Sequence, residues 1–374
     1  MSNIIYFDNN ATTKVDERVL ETMLPYFSEH YGNASSKMHE FGWTADVAVE
    51  KAREQVANLI GAEPNEIIFT SGATESVNTA LKGIYKAYKT KGNHIITVAT
   101  EHKAVLDTCG YLNEEGAEIT YLNVDKEGLI DLGELKSSIK PNTILISVMA
   151  ANNETGVIQP LEEISAIAKE HKIIFFSDAT QFVGKMQLDV NDLGIDCLSL
   201  SAHKFYGPKG IGALYIRRKN PRVNVISLLH GGAQENNRRA GTLNVPLIVG
   251  LGKACEIAKA EMWDNNTEVS KLRAYFEHQI LEIAGLRING STKNRLYNTS
   301  NITFPGAVDI KSLLTKFAFS SGSACSTGSA EPSHVLKAMG LANDDIKNSY
   351  RFSFGKFNAL DEVKQLTKHL LSAF

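Results

Sequence analysis

Lys204 has the surroundings that most invite chemistry. It stands four residues beyond Leu200, the end of the apolar run Cys197–Leu200, and Gly207, Pro208 and Gly210 follow it. A lysine that ends a strand and enters a Gly/Pro turn is not on a solvated helix face, and its amine becomes a nucleophile able to form a Schiff base once its pKa is lowered. Taken singly, it is also one of many lysines that face solvent. Asp178 closes a second apolar run, Ile173–Ser177. Open α/β sheets gather ligands beyond the C-terminal ends of their strands. A carboxylate there can pair with a cationic ring nitrogen, or it can simply cap a turn. The third feature is Thr70-Ser71-Gly72-Ala73-Thr74-Glu75-Ser76, between a strand-like run and a helix-period segment. Such a turn aims backbone N–H groups at one point and the helix dipole favours an anion there, although the same residues make an ordinary helix cap. A phosphate cup, a strand-end Asp and a strand-end Lys, in that order, are the parts needed to hold pyridoxal phosphate (PLP), whose ring nitrogen needs an anion to stay protonated and electron-withdrawing.

Further candidates surround these. His102 follows the run Ile95–Val98 and starts the next helix; an imidazole there can stack on a flat cofactor and move protons, or cap the helix. Asn153 follows Thr143–Met149 in the same way and can address a ring hydroxyl or sit in a turn, and Gln181 can donate to a ring oxygen or face solvent. Cys325 lies at the centre of the small-residue segment Ser320–Ser329. A thiol that must reach a substrate and then an acceptor needs an exposed mount, whereas most free cysteines are buried.

These residues need a scaffold. Strand-like runs at Ile67–Thr70, Ile95–Val98, Ile119–Val124, Thr143–Met149, Ile173–Phe176, Cys197–Leu200 and Gly212–Ile216 alternate with helix-period segments through the first two-thirds of the chain. That alternation predicts βαβ units and a mostly parallel sheet. A long helical stretch follows from about Val245 to Ile283, with a break expected around Trp263–Asn266. Strands at Arg287–Asn289, Asn301–Phe304 and Tyr350–Phe354, a helix at Asp309–Lys316 and a final helix predict a smaller α+β domain. With 374 residues, 43% of them apolar, the chain can bury more than one core. A net charge of −3 argues against nucleic acid as the main partner, since phosphate binding needs clustered Lys and Arg. No apolar run approaches the ~18 residues of a membrane span, and the N-terminus does not read as a secretory signal. Cys109, Cys197, Cys255 and Cys325 are scattered without metal-ligand spacing, which reads as reduced thiols in the cytoplasm.

The ordered motifs Ser71–Ser76, Thr100-Glu101-His102, Asn152–Gly156, Asp178–Gln181, Ser201–Gly210, Arg239–Thr242 and Ser320–Cys325, with the opening Tyr6–Thr13 and Tyr31–Ser36, together resemble the cysteine desulfurases. These belong to the class V aminotransferase family of fold-type I PLP enzymes, and the Cys loop is similar to that of the branch serving iron–sulfur assembly. The resemblance covers essentially the whole chain. It implies a large PLP-binding domain at residues 16–255 and a small domain formed by residues 1–15 and 256–374. It implies a covalent PLP link at Lys204, phosphate contacts from Ala73, Thr74, Ser201 and His203, and a further one from Thr242 of the other subunit of a homodimer. Asp178 is expected on the pyridinium, Gln181 on the ring oxygen, and His102 stacked on the ring. Asn153, Arg351 and Asn33 are expected at the substrate, L-cysteine, with Arg351 forking its carboxylate and Cys325 as the nucleophile. Two departures stand out: Ala34 replaces the Pro that usually follows Asn33, and the chain stops soon after the final helix, where iron–sulfur-assembly members carry a longer tail that helps dock the scaffold protein. The residues leave open the sulfur acceptor and whether selenocysteine competes with cysteine.

Overall fold

The computed structural model describes residues 4–306, 310–321 and 332–374. Its centre is a sheet of seven strands in the spatial order Ile67–Thr70, Gly212–Ile216, Cys197–Ser201, Ile174–Asp178, Thr143–Ser147, His94–Val98 and Glu118–Leu122. Every pairing is parallel except the two made by Gly212–Ile216. The central strands are buried along their whole length, which is why they read as continuous apolar runs rather than alternating ones. Helices Ala73–Tyr88 and Lys103–Glu114 pack on one face through Val77, Leu81, Ile84, Val105 and Leu112. Helices Glu40–Ile60, Leu161–Glu170 and the first half of Val245–Ile280 cover the other. The α/β class and the mostly parallel sheet are as the sequence predicts.

A second core is built from Phe7, Val269, Phe276, Ile280, Phe304, Phe317, Phe319, Phe352 and Phe354, closed by Val363, Leu366 and Leu370 of the last helix, Leu360–Leu371. Its sheet has four antiparallel strands in the order Ser320–Ser321, Ser349–Ser353, Thr299–Thr303 and Arg287–Ile288. Ile5–Tyr6 pairs with Phe317–Ala318, so the N-terminal segment joins this second body before residues 8–13 run back to the first.

One expectation is corrected and another refined. The helix Val245–Ile280 is continuous across Trp263–Asn266. That stretch has neither Gly nor Pro, and weak helix formers cost well under about 1 kcal/mol each. Burial at both ends outweighs this, with Leu251 and Cys255 in the first core and Phe276 and Ile280 in the second. The helix expected at Asp309–Lys316 takes the 3-10 form at Ile310–Thr315, and Asp309 lies outside the described residues.

Candidate active site

A cavity of ≈ 420 Å³ opens where the central strands end, lined among others by Asn10, Gly72, Thr74, His102, Asn153, Asp178, Gln181, Ser201, His203 and Lys204. The position follows from the topology, because the parallel strands all deliver their C-terminal loops to one edge.

At one end lies the cup. Gly72 precedes helix Ala73–Tyr88 with φ 149°, in the region glycine favours. The first turn of the helix leaves its N–H groups without intrahelical acceptors, and Ala73, Thr74, Ser201 and His203 line the space beside it. Glu75 also borders the cup, but its carboxylate takes the Ser71 amide at 2.7 Å and the Arg239 guanidinium at 2.9 Å. Burial works against its charge, and these partners outweigh burial and hold it below the usual range. His203 Nδ1 meets Thr12 Oγ1 at 3.1 Å. Burial, then the charges of Lys204, Lys209 and Lys185, lowers its imidazole to about 4, so it is neutral at neutral pH.

At the other end, Asp178 is held with its Oδ1 accepting from Ser199 Oγ at 2.9 Å and from the amide and hydroxyl of Thr180 at 3.0 and 2.5 Å. All three bonds fall on one oxygen, which leaves Oδ2 for a ligand. Lys204 sits in the 3-10 turn Ala202–Lys204 that ends the strand Cys197–Ser201. Its Nζ donates to the carbonyls of Asn10 and Ala11 at 2.7 and 2.9 Å. His102 caps the helix Lys103–Glu114, and its Nδ1 accepts the Ala104 amide at 3.1 Å. A neutral His102 ring must then carry its proton on Nε2. Burial lowers its pKa; Asp178 opposes this, while Lys204 and His334 add to it. Asn152 builds the loop that presents Asn153, accepting the Glu154 and Thr155 amides at 2.8 and 3.0 Å.

The residues therefore fit PLP. An anion with a spare oxygen, a lysine amine and a glycine-opened helix N-terminus share one cavity of suitable size. Other candidates fall elsewhere. Arg351 is 3% exposed and does not line the cavity. It donates to Asp8 Oδ1 at 2.7 Å, to the Asn153 carbonyl at 2.8 Å and to Ser320 Oγ at 3.2 Å. Asn33 is exposed and accepts the Ser35 amide within its own turn. Thr242 is exposed and does not line the cavity. Cys325 lies outside the described residues. The other three cysteines are buried, and burial raises all their thiol pKa values, that of Cys109 to about 12.

Sequence reasoning missed Asn10, Thr180, Ser199 and Asp8 as parts of the site. Asn10 comes from far away in the chain, and nothing local to it signals that its carbonyl receives Lys204. Thr180 carried a signal, since Asp-x-Thr is a common Asx-type turn.

Fold and site together define a fold-type I PLP-dependent enzyme. The sequence pattern of the aminotransferase class-V family matches residues 5–366, and the chain belongs to that family. It is 48% identical over 372 residues to the cysteine desulfurase IscS of Ehrlichia chaffeensis, covering 99% of this chain and 90% of that one. It is 50% identical over 363 residues to the human cysteine desulfurase, covering 96% and 79%. Among solved structures it is similar to a NifS-like protein (TM-score 0.92, 39% identity, 99% and 100% covered) and to SspA in complex with cysteine (TM-score 0.85, 41% identity, 95% and 100% covered).

Proposed function

We infer that this chain is a PLP-dependent cysteine desulfurase, converting L-cysteine to L-alanine and passing the sulfur to Cys325 as a persulfide. The observation that carries the reading is the meeting of Lys204, Asp178 and the Gly72–Thr74 cup in one cavity, set beside relatives that bear that activity in their names. When bound, PLP supplies a carbonyl for the substrate amine and a ring that withdraws electrons from the adjacent carbon.

The protein's own residues then divide the work. Lys204 would hold the cofactor, and its Nζ, which donates to the carbonyls of Asn10 and Ala11, would be the base that takes the substrate's α-proton. His102 would stack on the ring, with Nε2 as its donor, since Nδ1 is engaged by Ala104. Asp178 Oδ2 would keep the ring nitrogen protonated, and Gln181 would donate to the ring oxygen. Ala73, Thr74, Ser201 and His203 hold the phosphate, and Thr242 of a second subunit completes the cup. Arg351 receives the substrate carboxylate, with Asn153 and Asn33 assisting. The Cys325 thiolate attacks the substrate sulfur; the new S–S bond forms as the substrate C–S bond breaks, and the carbon skeleton leaves as alanine. The buried thiols of Cys109, Cys197 and Cys255 are poor rivals for this task, because the thiolate is the reactive species.

The wider proposal is a cytoplasmic homodimer that hands sulfur to an acceptor protein for iron–sulfur clusters, thio-cofactors or tRNA. Residues 16–255 act as the PLP-binding domain, and residues 1–15 with 256–374 as the small domain carrying the Cys loop. No helix among the described residues is long and apolar enough to cross a membrane.

Sulfide release from L-cysteine with a reductant present tests the reading in wild type, Cys325→Ala and Lys204→Ala. Both variants are expected to lose release, while Cys325→Ala alone keeps the yellow colour of bound cofactor. A yellow wild type that releases no sulfide, or full release by Cys325→Ala, overturns it.

A further inference from the structure

The strand Ile174–Asp178 is followed by a helical turn in which Phe182 and Val183 bond back to Ala179. Gln181 and Lys185, four residues apart, share one face of it. Gly184 adopts φ 76°, and a Cβ there would lie 2.7 Å from the Phe205 side chain, so glycine is what lets the chain turn Lys185 inward.

Lys185 is 5% exposed, unusual for a lysine. Its Nζ donates to Gln181 Oε1 at 2.7 Å and lies 3.4 Å from Asn10 Oδ1. Gln181 Nε2 in turn donates to the Asn10 carbonyl at 2.9 Å, the same oxygen that receives Lys204 Nζ at 2.7 Å. The amide has one workable orientation. Turned over, its Oε1 would face the Asn10 carbonyl, two acceptors with no proton between them.

We propose that Lys185 is a positioning residue of the site: by donating to Gln181 Oε1 it locks the Gln181 amide, so that one Nε2 hydrogen goes to Asn10 and the other is presented to the ring oxygen of PLP. The inference rests on the assignment of Gln181 to that oxygen. Burial, followed by the charges of Lys204 and Arg351, pushes the Lys185 amine well below the ordinary lysine range.

The test compares Lys185→Met, Gln181→Met and the double variant. Three quantities are read: PLP affinity of the apo-protein by titration, the pH dependence of the visible band of the bound cofactor, and Tm. Each single variant is expected to bind PLP roughly tenfold more weakly, the scale of one buried hydrogen bond, and to shift the spectral titration. The double variant should bind no more weakly than either single, and should recover part of the Tm lost by Lys185→Met, because no orphaned amide oxygen remains. Lys185→Met matching wild type in affinity and spectrum, or losses that simply multiply in the double, overturns the proposal. Gln181→Glu is an independent arm if Lys185→Met does not fold: it still accepts from Lys185 but has no N–H to offer. It must lose cofactor affinity, and wild-type affinity there also overturns the proposal. A wild type that fails to take up PLP would instead sink the cofactor reading itself.

Discussion

Arg351 meets a carboxylate before any substrate arrives. Asp8 occupies its Nη2, and the Asn153 carbonyl takes Nη1, so in the proposed role a substrate carboxylate would share or displace these bonds. Lysine in this place offers a point charge instead of a fork. Arg351→Lys is expected to raise KM about tenfold with a smaller change in kcat, the pattern of a lost bidentate contact in steady-state kinetics. His203 gives a prediction in pH. Its pKa falls from the ordinary 6.5 to about 4 in the folded protein, so the unfolded chain binds more protons between those values. The stability linked to this group is fully present above pH 6.5 and is lost as the pH falls toward about 4. Thermal melts across that window should therefore fall more steeply for wild type than for His203→Gln. Legibility at this scale was uneven. Lys204, Asp178 and His102 each end a strand or open a helix, a signal read directly from apolar runs. Arg351 was legible only through family resemblance, and its pairing with Asp8 joins residues 343 apart in sequence.

The elements matter because they are packed too closely to move separately. Gly212, on the antiparallel strand Gly212–Ile216 of the large sheet, touches the cup: a Cβ there would lie 2.4 Å from the Leu200 carbonyl oxygen and 2.8 Å from Gly72 Cα. Both obstacles are backbone, so neither can rotate away. Gly212→Ala is expected to cost about 1–3 kcal/mol by overpacking and to weaken PLP binding as the cup shifts, measured by urea unfolding and by cofactor titration. The strands themselves were legible, since fully buried strands are short continuous apolar runs. The antiparallel direction of Gly212–Ile216 was not, because direction is set by the path of the connecting chain and leaves no mark on composition.

At the scale of the molecule, the helix Val245–Ile280 spans both cores, and residues 8–13 bring backbone from the second core to Lys204. Lys356 reinforces the junction, reaching Asp16 at 2.5 Å and Glu261 at 3.2 Å. Asp264→Pro, placed in the exposed middle of the helix, removes a backbone bond and clashes with the preceding turn, costing ~3 kcal/mol or more. Arg351 lies on a strand of the second core and the cup at the end of the first-core sheet, so a kink between the cores is expected to raise KM for cysteine while PLP affinity stays near that of wild type. Equal loss of both would show that the helix supports the whole site.

The sequence alone determined the alternating strand and helix order and the mostly parallel sheet, and it singled out Lys204, Asp178 and the Ser71–Ser76 turn as candidates to hold a cofactor, because each follows from local pattern and from where such a sheet delivers its loops. Tertiary structure alone decided which oxygen of Asp178 stays open, that Asn10 holds the Lys204 amine, that Arg351 is already paired, and that Lys185 lies buried behind Gln181. These depend on atoms brought together from distant parts of the chain, and hydrogen-bond geometry between them exists only once both cores have closed. The continuity of Val245–Ile280 has the same origin: weak local propensity at Trp263–Asn266 was outweighed by burial at the two ends.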